Sequence, residues 1–568
     1  MTAALQLPVP VRHGAEAVAE GGAPQPIRKR KADEHVTGTS SRASTAASMQ
    51  MFVEDGSAPD PAMLAEVGRL SGEIGSESTP PTELLRALTQ LRQTFATNSH
   101  PPVQELIVVG GIRALVGVLR SSSASALARM EAAWVLTNAA SGSSQHTHAL
   151  VDAGVPEAAM FVLSSPGIAD RHDLCDQCLW VLGNIAGDGD TTMRDTLLAA
   201  GAMDALGLLF SQMPAFRWSV QERAQVLRTL TWLMSSLCRG IPPPAFAEVE
   251  CCFDYFVQVV MGSDDAQMLY EALWGLCYLM DGASTEEQCS ARAARMLSVG
   301  FAPGEAPSAA QTHPFLAQVV SCARRAAHDL RSPLPIPALR LLGLLVATPA
   351  PEVADMALAS GALLAFRVAL KDSNAPEEVR RDVAWALSNI AAGTKAQAAA
   401  LLSDAPACDA LFASVEPGAP HAVRRESAWA IVALAKQLGF QSLDARRVLG
   451  LATAMMQEEP VEVALQRGLL DAAELALRHG DDVALAQGLK GNPVSRVAEE
   501  VGFLDELEEL RRGAEPGLQR KAEFLSKWFG ARSENSQPDG LSSKALPVAS
   551  WGPMAGGSPW RAAYRLGA

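Results

Sequence analysis

From Thr82 onward apolar residues recur every three or four positions, with Leu84, Leu85, Leu88, Leu91 and Phe95 marking one face of a helix. Pro101-Pro102 ends that pattern. The run from Val103 to Leu119 then predicts a short helix, a turn at Gly110-Gly111 and a second helix. The same punctuation returns at Gly154, Gly201 and Gly361. Glycine adopts positive φ without steric cost, so it can end one helix and open the next. Between these turns a third kind of segment repeats most closely, as in Glu131-Ala-Ala-Trp134-Val-Leu-Thr-Asn138-Ala-Ala-Ser-Gly142. In later copies Trp180 precedes Asn184, Trp232 precedes Ser236, Trp274 precedes Tyr278, Trp385 precedes Asn389 and Trp429 precedes Ala433, always by four positions.

Residues four apart on a helix lie on one face, so each Trp and its partner point the same way while the Ala, Leu, Val and Ile between them face a core. Three residues before each Trp, on the same face, stand Glu131, Gln177, Thr229, Glu271, Asp382 and Glu426. Successive Trp residues are 46, 52, 42, 111 and 44 positions apart, and the long gap has room for a copy without Trp. A period in the low forties with two or three helices per copy predicts armadillo or HEAT repeats, stacked so that the same helix of every repeat lines one groove. Along such a groove an Asn amide can satisfy the backbone of an extended peptide. Neighbouring indoles would leave a slot for an aliphatic stem, with the ring faces attracting the cation at its end. The nearby carboxylates complete a site for Lys or Arg.

Composition narrows the alternatives. No run approaches the roughly 18 apolar residues of a membrane span, and the first thirty residues lack the apolar core of a signal peptide. A soluble intracellular protein without membrane contact is expected. Nine cysteines scattered through predicted helices fit reduced thiols, and Cys175 and Cys178 lack a second ligand pair, which favours helix packing over zinc. The net charge of −15 disfavours direct nucleic-acid binding and favours basic partners. There is no phosphate loop, GxSxG elbow or HExxH motif, so neither an enzyme nor a cofactor is expected.

The runs Glu131 to Gly142, Asp176-Gln-Cys-Leu-Trp180-Val-Leu-Gly-Asn184-Ile-Ala-Gly-Asp188-Gly and Thr231-Trp-Leu-Met-Ser-Ser-Leu-Cys-Arg239-Gly-Ile-Pro-Pro-Pro resemble the importin-alpha (karyopherin-alpha) family, with gaps, from about Pro80 to Gly530. That resemblance implies an all-α, armadillo-repeat, right-handed superhelical solenoid of about ten repeats over residues 81–530. It also implies a nuclear import adaptor that shuttles between cytoplasm and nucleus, binding Lys/Arg-rich localisation signals of cargo proteins and linking them to importin-beta. The major cargo site carried over by resemblance comprises Trp134, Asn138, Gly142, Thr147, Gln177, Trp180, Asn184, Asp188, Trp232, Ser236 and Arg239, with Asp188 and Thr147 receiving the most deeply bound Lys. The minor site comprises Tyr278, Arg340, Asp382, Trp385, Asn389, Glu426 and Trp429. Leu344 and Ala433 stand where that site would carry Asn, so it should bind a second basic cluster weakly. The terminal repeat, Val501 to Gly530, is where the family binds its export receptor.

Outside the repeats, residues 1–80 are rich in Gly, Pro, Ser, Thr and Ala and read as disordered. Their one basic cluster, Arg28-Lys29-Arg30-Lys31, reads as a degenerate importin-beta-binding segment that can also occupy the Trp ladder. Residues 283–312 read as a loop insertion and residues 531–568 as a second disordered tail. The alternative reading is an armadillo scaffold of cytoskeletal or signalling type that does not recognise basic peptides.

Overall fold

A computed structural model describes residues 61–529, apart from 99, 300–310, 326–332, 417, 442, 458–461 and 514. The basic cluster at 28–31 and the tail from 531 lie outside the described residues. Every regular element among the described residues is helical. They fall into two compact units, 61–283 and 284–529.

The first unit opens with α1 (Pro61–Gly75) and α2 (Pro81–Thr97). The sequence reading placed all of 1–80 outside the folded region, and α1 corrects it. Val67, Leu70, Ser71 and Ile74 follow helical spacing and are all buried, Ser71 beneath Gly111. Three-helix repeats follow: α3 (Val103–Val108), α4 (Gly111–Arg120) and α5 (Ala126–Ala140), then α6 (Ser144–Asp152), α7 (Val155–Leu163) and α8 (His172–Ala186). Next come α9 (Thr191–Ala199), α10 (Ala202–Gln212) and α11 (Val220–Cys238), and last α12 (Phe246–Val249), α13 (Cys252–Gly262) and α14 (Ala266–Asp281). Gly110, Gly154 and Gly201 carry φ of 73°, 82° and 86°, the left-handed conformation that lets each first helix stop and the second start at once. Equivalent helices stack in rows: α1, α4, α7 and α10 form one, and α2, α5, α8, α11 and α14 another. The latter row carries the Trp residues. Between its helices Ala132, Val135, Leu136, Val181 and Leu182 are wholly buried, so the apolar residues beside each Trp make the core as their spacing predicted.

The second unit contains α15 (Glu286–Ser298), α16 (Pro314–Arg324) and α17 (Pro335–Val346), then α18 (Pro351–Ala359), α19 (Ala362–Lys371) and α20 (Glu377–Ala392). After α21 (Lys395–Ser403), α22 (Ala405–Ala413) and α23 (His421–Leu438) come α24 (Ala445–Met456), α25 (Val463–Gln487), α26 (Pro493–Glu500), α27 (Phe503–Gly513) and α28 (Pro516–Ser526). Its Trp row is α17, α20 and α23, continued by α25 and α28. The expected loop insertion is partly helix: α15 is capped by Thr285 and buries Cys289, Ala293, Met296 and Leu297. Its many Ala and Ser residues concealed that stripe.

Candidate functional site

Four of the six Trp residues of the repeated motif sit in the first unit on consecutive third helices: Trp134 on α5, Trp180 on α8, Trp232 on α11 and Trp274 on α14. Trp134 and Trp180 are 6% and 8% exposed, while Trp232 is less covered. Trp180 and Trp232 are in ring contact, their centroids 5.3 Å apart at 51°. An aliphatic stem needs van der Waals clearance of about 3.5–4 Å on each side, so the slot expected between these two indoles is closed here. Gly183 explains the approach, because a Cβ there would lie 2.1 Å from the Trp232 ring.

The carboxamides hold main chain. Asn138 Nδ2 donates to the Trp134 carbonyl at 2.8 Å, within its own helix. Asn184 Nδ2 instead donates to the Thr137 carbonyl on α5 at 3.0 Å, and Thr137 Oγ1 donates back to the Gln177 carbonyl at 3.1 Å. This reciprocal pair ties α5 to α8. Gln177 Oε1 is buried without a hydrogen-bond partner, an unsatisfied acceptor in the middle of the row. Ser236 on α11, where the third Asn would stand, is also buried.

Asp188 lies just beyond α8, where its Oδ1 accepts from Ser144 Oγ at 2.6 Å and from the Asp190 amide at 3.0 Å. Thr147 on α6 is fully buried and donates to the Ser143 carbonyl. Gly142 makes room for the ring of His146, which closes a capping box on Ser143. Arg239, at the end of α11, donates to the Gly187 carbonyl at 3.2 Å, and the buried Arg194 in turn holds the Arg239 carbonyl at 2.7 Å. Tyr278, assigned to the minor site by resemblance, lies in the first unit and stacks on Trp274 at 5.8 Å. Burial pushes its phenol well above the ordinary range, partly offset by the Arg239 charge.

In the second unit Arg340 is on α17, Asp382, Trp385 and Asn389 are on α20, and Glu426 and Trp429 are on α23. Arg340 donates to Asp382 Oδ2 at 3.0 Å, and Arg381 donates to Oδ1 of the same carboxylate at 2.9 Å. Asn389 repeats the Asn138 arrangement, donating to the Trp385 carbonyl at 2.8 Å. Glu426 accepts from Arg425 at 2.7 Å, and burial raises its carboxyl above the usual range despite that cation. In the first unit Glu131 pairs with Arg92, whose guanidinium also lies 5.7 Å from the Trp134 ring centroid. Three of the acidic groups expected to receive Lys or Arg are thus already paired within the chain.

Residues that the Trp/Asn register did not single out complete the site. Asp176 is buried and accepts from Gln225 at 2.8 Å and Thr229 at 2.6 Å, and burial raises its carboxyl. It stands four residues before Trp180, as Arg381 and Arg425 stand four before their own Trp. Reading that position beside the acidic one would have found all three. Cys175 and Cys178 are buried on α8, and burial raises the Cys178 thiol to about 12. Among the described residues no group of three His, Cys, Asp or Glu side chains could hold a metal ion.

Residues 99–141 match the Armadillo/beta-catenin-like repeat family. The chain is 34% identical over 204 residues to importin subunit alpha-1b of Oryza sativa subsp. japonica and 32% identical over 204 residues to importin subunit alpha-6 of Arabidopsis thaliana. Each match covers 36% of this chain and 35% of the relative, so the chain spans about a third of their length. Importin subunit alpha-1a of Oryza sativa subsp. japonica is 28% identical over 322 residues, 56% of this chain and 53% of the relative. The crystal structure of an engineered protein has a similar fold, with a TM-score of 0.59 at 18% identity over 82% of this chain and 98% of that one. The chain is all-helical among the described residues, carries an armadillo repeat, and is similar over part of its length to importin alpha subunits.

Proposed function

We propose that the chain is a nuclear import adaptor that binds Lys/Arg-rich segments of cargo in extended form along the Trp-bearing row of its first unit. The observation that carries this reading is the stacking of α5, α8 and α11, which sets Trp134 with Asn138 and Trp180 with Asn184 on successive helices, with Asp188 at the end of α8. The similarity to importin alpha subunits supports it. A bound Lys stem lies over the outer face of the Trp180–Trp232 pair, its ammonium directed to Asp188. Ser236 supplies a single hydroxyl where an Asn would supply a donor and an acceptor, which weakens this site by about 1 kcal/mol.

The second unit binds a further basic cluster weakly, because Leu344 and Ala433 provide no backbone clamp and its carboxylates already hold Arg340, Arg381 and Arg425. Importin-beta is the carrier in this reading, with Arg28-Lys29-Arg30-Lys31 as the binding segment, and the terminal helices serve an export receptor. The protein works between cytoplasm and nucleus and performs no chemistry.

Fluorescence anisotropy with a labelled Lys-rich peptide and its Lys-to-Thr variant tests the proposal. The Lys-rich peptide should bind, and Asp188→Lys should weaken it by about two orders of magnitude through loss of an ion pair and gain of a repulsion. Equal binding of both peptides would favour an armadillo scaffold without basic-peptide recognition.

A further inference from the structure

The rows of second helices carry a feature that the Trp ladder does not explain. On α7, Glu157 stands three residues after Gly154 and Phe161 seven after it; on α10, Asp204 and Leu208 occupy the same two registers after Gly201. The two helices pack side by side, and between them runs an open groove of about 440 Å³ lined by Glu157, Met160, Phe161, Asp204, Ala205 and Leu208. Phe161 is 50% exposed and Leu208 42%, large apolar side chains turned to solvent on consecutive repeats.

The repeat itself does not require them. At the same registers α4 carries Arg113 and Gly117, whereas α19, which follows Gly361, carries Leu364 and Val368, the latter 37% exposed, so an apolar residue recurs at the second register without an acid at the first. An acid in the first turn has a local rationale in the helix dipole, but Arg113 shows that the fold does without it, and no local rationale covers Phe161 or Leu208. Unlike Glu131, Asp382 and Glu426, neither Glu157 nor Asp204 has a cationic partner among the described residues. An apolar floor between two available carboxylates is complementary to an apolar stripe bordered by cations.

We propose that the groove between α7 and α10 is a second binding surface, separate from the Trp row, for an amphipathic helix of a partner protein whose apolar stripe is flanked by Lys or Arg. Two adjacent helices offer a third helix a ready groove for a ridge of side chains spaced i, i+4. Phe161 and Leu208 contact that ridge, and Glu157 and Asp204 meet the cations beside it.

The test titrates the full chain into a short fluorescein-labelled peptide with Leu at i, i+4 and i+7, Lys beside each Leu and Ala elsewhere. Binding should weaken about tenfold or more in Phe161→Ser/Leu208→Ser and in Glu157→Lys/Asp204→Lys, and when the peptide Lys residues become Glu. Because all four residues are exposed, both variants should melt as the parent does, which separates lost binding from lost folding. An excess of a Lys-rich peptide without Leu should not displace the probe. Absence of binding to the parent, equal binding by both variants, or displacement by the Leu-free peptide would overturn the proposal, and the last result would assign the probe to the Trp row.

Discussion

Removing the Arg425 guanidinium leaves the Glu426 carboxylate buried without its nearest cation. Burial already raises this carboxyl above its unfolded value of 4.5. As pH climbs from 4.5 to the raised folded value, the unfolded chain ionises first, so this group's contribution to stability declines through that window and then levels off. Arg425→Gln moves the folded value higher and extends the decline. Thermal melts from pH 4 to 8 should show a loss of about 1–3 kcal/mol beyond the parent at neutral pH, shrinking toward pH 4; equal differences at all pH values would contradict this origin. The same substitution uncovers a groove carboxylate, so it should increase the affinity of a Lys-rich peptide for the second unit. The acids at the third position before Trp134, Trp274, Trp385 and Trp429 were legible from sequence, since they share a face with the indole. The cation beside Glu426 is its sequence neighbour Arg425, but Arg92 and Arg340 reach Glu131 and Asp382 from neighbouring helices, at separations of 39 and 42 residues. Chain spacing alone carries no record of such pairs.

Among the elements, the Trp-bearing helices and the glycine turns were plain in the sequence because each repeats a local rule: one face of alternating indole and amide, and one positive-φ turn. Helix α1 was hidden by its composition, since Gly68, Ser71, Gly72 and Gly75 interrupt an otherwise regular stripe. It is nonetheless part of the folded unit, for Leu70 is fully buried against the helices that follow. Leu70→Ala should cost about 2–5 kcal/mol in denaturant unfolding, whereas a terminal segment outside the fold would give no change. Gly183 makes the converse point about close approach. Gly183→Ala drives a methyl into the Trp232 ring and should destabilise the first unit by about 1–3 kcal/mol, with altered Trp fluorescence marking the separation of the two indoles. An unchanged melt and spectrum would mean that α8 and α11 are not held by this contact.

Across the whole molecule, the net charge of −15 attracts cations from a distance, but three of the ladder carboxylates, Glu131, Asp382 and Glu426, are spent on internal arginines. In the proposed reading, specific capture of a basic peptide therefore rests on the first unit, with its Asp188 and its two Trp–Asn pairs, and long-range attraction adds a salt-sensitive increment. The central claim is tested most directly by a crystal structure of the chain with a Lys-rich peptide. It should show the peptide extended across α5, α8 and α11, with one ammonium at Asp188 and the stem against Trp180 and Trp232. A peptide bound away from these helices, with the indoles and Asp188 untouched, would contradict the account.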